Sequence, residues 1–188
     1  LAAKEGLIGD LGPRFYGVPT NRSQATTIET DAPEIVQRCL ADQIDAVVLV
    51  PNCPVCHQSV SITARHLEAA GIATVVMGCA KDIVEHAGVP RFLFNDFPLG
   101  NGAGKPNDVA SQRETLAHAL RLLETATGPR TTMQNPIRWS ESADWKNDYL
   151  NLDRMPAEEV ARRRADVDRQ KEVARQVRVE AGLAKKAG

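Results

Sequence analysis

The segment Asp45-Ala-Val-Val-Leu-Val-Pro-Asn-Cys-Pro-Val-Cys-His-Gln58 decides how this chain is read. Its first half, Ala46 to Val50, is an unbroken apolar run. A run that short and that apolar reads as a strand buried on both faces, as in a parallel sheet. Its second half turns polar at Asn52 and carries Cys53, Cys56 and His57 toward a helix that the periodicity places from about Gln58 to Ala70, with Gly71 ending it.

Working outward, the same pattern recurs. Asp31, Pro33 and Glu34 read as the opening of a helix whose apolar face is Ile35, Val36, Cys39 and Leu40. A second strand falls at Ala73 to Met77, a helix at Lys81 to Ala87, and a third strand at Arg91 to Asn95. After a glycine-rich loop, Asp108 to Thr127 reads as a long helix. Such alternation predicts an α/β fold: an open, mostly parallel sheet with flanking helices, Rossmann- or flavodoxin-like, with right-handed crossovers. Residues 1–30 and 129–150 read as irregular, the latter holding Trp139, Trp145 and Tyr149. Residues 156–187 are rich in Ala, Glu, Arg and Lys and predict a charged C-terminal helix with Val160, Val167, Val173 and Val177 as a thin apolar stripe. Two domains are expected, 1–150 as the α/β domain and 151–188 as a helical tail.

The 188 residues are 43% hydrophobic and 25% charged with a net charge of −1, which is ordinary soluble composition. That balance calls for neither nucleic acid nor an anionic membrane as partner. No apolar run approaches the roughly 20 residues that span a bilayer, and no signal peptide is visible. A cytoplasmic location is the expectation. The chain opens on Leu1, so it reads as a fragment or a processed product.

In an open parallel sheet, sites form beyond the carboxyl ends of strands. Cys53 lies three residues after Val50, at a helix start, where free N–H groups and the helix dipole favour a thiolate. Cys-x-x-Cys spacing lets Cys53 attack and Cys56 resolve the product as a disulfide. His57 beside them can stabilise a thiolate or pass a proton, or simply face solvent at the helix start. Metal is the alternative: Cys53, Cys56, His57 and Cys79 offer soft ligands for zinc, although no second Cys-x-x-Cys pair is present. Asn52 and the loop around Gly100, Asn101, Gly102, Gly104 and Lys105 are candidates for holding a small anionic substrate, with backbone amides and one cation. This loop is not a Walker A motif, because no Ser or Thr follows Lys105.

Residues 45–78 (DAVVLVPNCPVCHQSVSITARHLEAAGIATVVMG), 88–106 (GVPRFLFNDFPLGNGAGKP), and the PRTT and IRWS segments resemble the selenoprotein B-type subunits of the glycine, sarcosine, betaine and D-proline reductase family. The similarity runs from about Gly6 to Trp145. It implies that Cys53 stands where relatives often carry selenocysteine, making this a cysteine version. It also implies that Cys53 attacks a substrate carbon and displaces an amine, that a thioredoxin-like dithiol supplies electrons, and that other reductase subunits, one bearing a pyruvoyl group, are partners in a homo- or hetero-oligomer. Relatives extend further toward the amino terminus, so an N-terminal part is expected to be missing. Leu1 is not a pyruvoyl precursor, so no covalently bound cofactor is expected in this chain. The second functional reading, from the residues alone, is a metal-binding or redox-sensing assembly subunit without catalysis of its own.

Overall fold

The computed structural model describes residues 2–19, 23–149 and 151–180. The chain divides into two compact units, Leu1–Glu141 and Ser142–Gly188. In the first, a four-stranded, all-parallel sheet runs β1 (Ala46–Leu49), β2 (Ala73–Gly78), β3 (Arg91–Phe94) and β4 (Thr131–Gln134), in sequence order across the sheet. The expected α/β architecture is therefore present.

Helical structure starts earlier than the sequence implies. Ser23 accepts the Thr26 N–H at 3.1 Å and caps α1 (Gln24–Thr26). The chain continues through a π-helical turn (Thr27–Asp31) directly into α2 (Ala32–Ala41). Asp31 is consequently helical and its side chain does not cap α2, and Glu34 pairs with Arg38 at 2.5 Å instead of closing a capping box. The remaining helices of this unit are α3 (Pro54–Ala69), α4 (Lys81–Ala87) and α5 (Val109–Thr125).

Strand alternation sorts the core into two layers. On one face, Leu49, Val76 and Phe92 meet Ile35 and Cys39 of α2, Val60, Ala64 and Leu67 of α3, and Val84 of α4. On the other, Val75, Met77 and Leu93 meet Ala119 and Leu122 of α5. This placement corrects the expectation of uniformly right-handed crossovers. Each connection steps the same way along the sheet, yet α5 lies on the face opposite α3 and α4, so the β3–β4 crossover has the opposite hand. It also explains the route of the chain: residues 95–108 must travel back over the carboxyl end of β2 before α5 descends behind it.

β4 was not expected, because residues 129–150 read as loop. Its sequence Thr-Thr-Met-Gln lacks the apolar run of the other strands, and no residue in it is fully buried. Edge position accounts for this: β4 pairs only with β3.

The second unit holds α6 (Trp145–Asp148), a 3-10 turn (Leu152–Arg154) and α7 (Ala157–Glu180). Asn151 caps the turn by accepting the Asp153 N–H at 3.2 Å. In α7, ion pairs link Glu159 to Arg162 and Arg163, Asp166 to Arg169, and Glu172 to Arg175. All are three or four residues apart, the spacing that supports an exposed helix. Val167 and Val173 are exposed. Residues 181–187 of the expected helix, like Leu1, lie outside the described residues.

Candidate functional site

β1 ends at Leu49, and the chain reaches Cys53 in extended conformation (φ −120°, ψ 165°). Cys53 is the N-cap of α3: its sulfur accepts the Cys56 N–H at 3.1 Å, and Pro54 occupies the first helical position. Pro suits that position because its missing N–H would have no intrahelical partner. The helix thus begins four residues before the sequence pattern placed it, and Cys56 and His57 belong to its first turn. Cys53 and Cys56 form a disulfide with their Cα atoms 4.9 Å apart. Both cysteines are partly exposed, and Asn52 is exposed.

His57 is fully buried, so the solvent-facing alternative does not hold. Its Nδ1 lies 2.7 Å from the Cys53 carbonyl, and its Nε2 accepts the N–H groups of Cys79 at 3.0 Å and Ala80 at 3.2 Å. Two N–H donors on Nε2 fix the tautomer, with the proton on Nδ1 donated to Cys53. Burial holds the imidazole below its ordinary pKa, against the smaller opposing pull of the Cys53 carbonyl. His57 is therefore a neutral brace between the first turn of α3 and the loop after β2. Gly78 makes room for it: a methyl there would lie 2.8 Å from Nε2.

Cys79 is a free thiol at the end of β2. Burial pushes its pKa up to about 11, while the nearby backbone amides of Asn101 and Phe97 oppose the rise. The glycine-rich loop comes down beside Cys79, since a methyl on Gly102 would lie 3.4 Å from the Cα of Gly78. It also reaches the residue before Cys53, because a methyl on Gly100 would lie 3.8 Å from the Asn52 carbonyl. Gly102 presses on β2 so closely that a methyl would sit 2.8 Å from the Met77 carbonyl. Gly104, with φ +116°, packs on Gln112 of α5. Lys105 donates its N–H to Ser111 Oγ at 2.8 Å, and its carbonyl accepts from Gln112 Nε2 at 2.9 Å.

The structure accordingly gathers Asn52, Cys53, Cys56, His57, Cys79, Gly100, Asn101 and Gly102 beyond the carboxyl ends of β1 and β2. It ties Gly104 and Lys105 to the start of α5. In this disulfide form the quartet Cys53, Cys56, His57 and Cys79 is not set out as a zinc site: two sulfurs are bonded to each other, and both imidazole nitrogens of His57 engage backbone. Among the described residues no three His, Cys, Asp or Glu side chains form a metal-binding group. Two surface grooves, one between Leu7 and Arg113 and one beside Phe92 and Arg130, do not include the cysteines.

Two residues that sequence reasoning missed are Asn95 and Asn135, both buried beside the loop. Each is the first residue after a strand, and each extends the ladder by one bond: Asn95 N–H to Gly78 O and Asn135 N–H to Phe94 O, both 2.8 Å. An asparagine closing an apolar strand was the available signal for Asn95.

No protein-family profile matches the chain, and no solved structure matches it. The chain is similar to gamma subunits of D-proline reductase and of the glycine reductase complex component B. It is 32% identical over 122 residues to D-proline reductase subunit gamma of Acetoanaerobium sticklandii, covering 64% of this chain and 50% of that protein. It is 27% identical over 135 residues to the glycine reductase complex component B subunit gamma of Peptoclostridium acidaminophilum, covering 70% of this chain and 31% of that protein. The subunit of the same name from Peptoclostridium litorale gives 27% over 136 residues. The chain spans half or less of the length of these curated relatives. Among the described residues no helix is long and apolar enough to cross a membrane.

Proposed function

We propose that this chain is a subunit of a thiol-dependent amino-acid reductase, in a cysteine version of the selenoprotein B-type subunit, with Cys53 as nucleophile and Cys56 as resolving thiol. The observation that carries the reading is the Cys53–Cys56 disulfide, set across the first turn of α3 at the carboxyl end of β1. The similarity to D-proline and glycine reductase subunits supports it.

In the reduced protein, Cys53 attacks as thiolate the carbon that bears the amine. The carbon–nitrogen bond breaks and the amine leaves with a proton. Cys56 then attacks the Cys53 sulfur. The sulfur–carbon bond breaks, its electron pair goes to carbon, and carbon takes a proton. The two electrons delivered come from the two thiols, which end as the disulfide, and a thioredoxin-like dithiol restores them. Unpaired N–H groups and the dipole at the start of α3 favour the thiolate. His57 positions Cys53 through its carbonyl and is not the proton carrier. Asn52 and the Gly100–Lys105 loop contact a small anionic substrate, and other reductase subunits complete the complex.

The test is turnover of D-proline and of glycine by the assembled complex, with mass spectrometry of this chain. Cys53→Ser abolishes turnover, and Cys56→Ser accumulates an adduct on Cys53. An undiminished rate in Cys53→Ser sinks the assignment.

A further inference from the structure

We propose that Asn95, backed by Asn135 and Thr115, is the positioning residue that holds the Phe97–Gly104 loop closed over Cys79 and beside Asn52, and thereby sets substrate affinity; the second clause rests on the reading of that loop as a substrate contact.

Asn95 and Thr115 are 0% exposed and Asn135 is 2% exposed. Buried amides are costly unless every donor and acceptor is used, and these are used in one direction only. Asn135 Nδ2 donates to Asn95 Oδ1 at 2.5 Å and to Thr115 Oγ1 at 3.1 Å, while Asn135 Oδ1 accepts the Ile137 N–H at 3.1 Å. The Asn135 amide is thereby oriented from three sides. It presents a donor to Asn95, so Asn95 must answer with its oxygen. That leaves Asn95 Nδ2 facing the Gly102 carbonyl, 2.8 Å away. The orientation passes from α5 and the end of β4 to the loop, one side chain at a time.

Gly102 is the point that this relay grips. A methyl added to it would lie 2.8 Å from the Met77 carbonyl, so there is no space for a side chain, and its carbonyl is held by Asn95. Upstream of the grip, the loop is closed on itself by Asn101 N–H and Asn101 Nδ2, both donating to Pro98 O at 3.2 and 2.9 Å. The grip also sets the turn against the residue before Cys79, because a methyl on Gly102 would lie 3.4 Å from the Cα of Gly78. Releasing Gly102 frees the whole turn from β2 without touching either cysteine of the disulfide.

The experiment uses the full chain, reduced, with Asn95→Ser, Asn135→Ser and Thr115→Val. Iodoacetamide labelling is followed at each cysteine by mass spectrometry. Cys39 is the internal control, since it is buried between α2 and the sheet, away from the loop. In Asn95→Ser, Cys79 labels about tenfold faster, the ratio expected for one lost buried hydrogen bond, while Cys39 is unchanged. Asn135→Ser and Thr115→Val give smaller increases in that order, so the relay is testable even where Asn95→Ser folds poorly. In the assembled complex, KM for D-proline or glycine rises about tenfold with kcat within about twofold, the split expected when only uniform binding is lost. Unchanged Cys79 labelling overturns the proposal. So does a parallel rise at Cys39, which marks general loosening, or a fall in kcat at constant KM. A wild-type complex that neither binds nor reduces either amino acid overturns the affinity clause together with the reductase reading, whereas the labelling contrast judges the loop assignment by itself.

Discussion

His57 Nε2 accepts the backbone N–H of Cys79 at 3.0 Å, so the loop after β2 hangs from a side chain in the first turn of α3. Because the same ring also holds the Ala80 N–H, its removal orphans two backbone donors at once and takes from the Cys53 carbonyl one of its two partners, the other being the His57 N–H. His57→Ala is expected to destabilise the protein by about 3–5 kcal/mol, from the cavity and the unsatisfied groups together. Urea unfolding at constant m-value measures it. A loss under about 1 kcal/mol would show that the brace is dispensable.

Burial holds His57 neutral below its ordinary pKa. The unfolded chain takes up a proton at this residue as pH drops through about 6.5, and the folded chain does so only at lower pH. Folding stability therefore falls on acidification below about pH 6.5, with a slope from this group of at most about 1.4 kcal/mol per pH unit. His57→Gln is expected to be less stable at pH 7 yet to lose less between pH 7 and 5 than the wild type. Parallel stability curves for the two proteins would remove His57 from the account.

Cys53 has two jobs that substitution can separate. Its sulfur caps α3 by accepting the Cys56 N–H. Serine is a preferred N-cap and alanine is a poor one. Under reducing conditions Cys53→Ser should match the wild type in melting temperature, whereas Cys53→Ala should lose about 1 kcal/mol. Both should be inactive. Equal stability of the two variants would mean that the cap contributes nothing.

Two glycines are fixed by close approach rather than by flexibility. A methyl at Gly78 meets the buried His57 ring at 2.8 Å, and one at Gly102 meets the Met77 carbonyl at 2.8 Å. Gly78→Ala and Gly102→Ala are each expected to cost about 1–3 kcal/mol, as overpacked sites do. Gly9, by contrast, has nothing within reach of an added methyl, so Gly9→Ala should change the denaturation midpoint negligibly. Denaturation of all three variants side by side checks this, and a Gly9 loss equal to the others would undercut the packing argument.

Much of the fold was legible because the strands Ala46–Leu49, Ala73–Gly78 and Arg91–Phe94 are apolar on both faces, and that pattern has few other readings. Thr131–Gln134 was not, since an edge strand needs no such run. Helix α3 was placed late because Pro54, a breaker inside a helix, is a starter at its first position. The pair Cys53 and Cys56 was legible from spacing alone. The role of His57 was not, because burial by a loop 22 residues further along is a tertiary fact. The Asn95–Asn135 contact spans 40 residues and joins two strand ends. Nothing local in either segment announces it.

That contact also sets an order of assembly. β1, β2 and β3 can pair as soon as residue 94 is available, and the disulfide pair then already sits on its helix. The oxygen of Asn95 has no donor until Asn135 arrives behind β4. During synthesis from the amino terminus, the cysteines are therefore in place before the loop over them can be locked. The last strand to join the sheet is the one that closes the site.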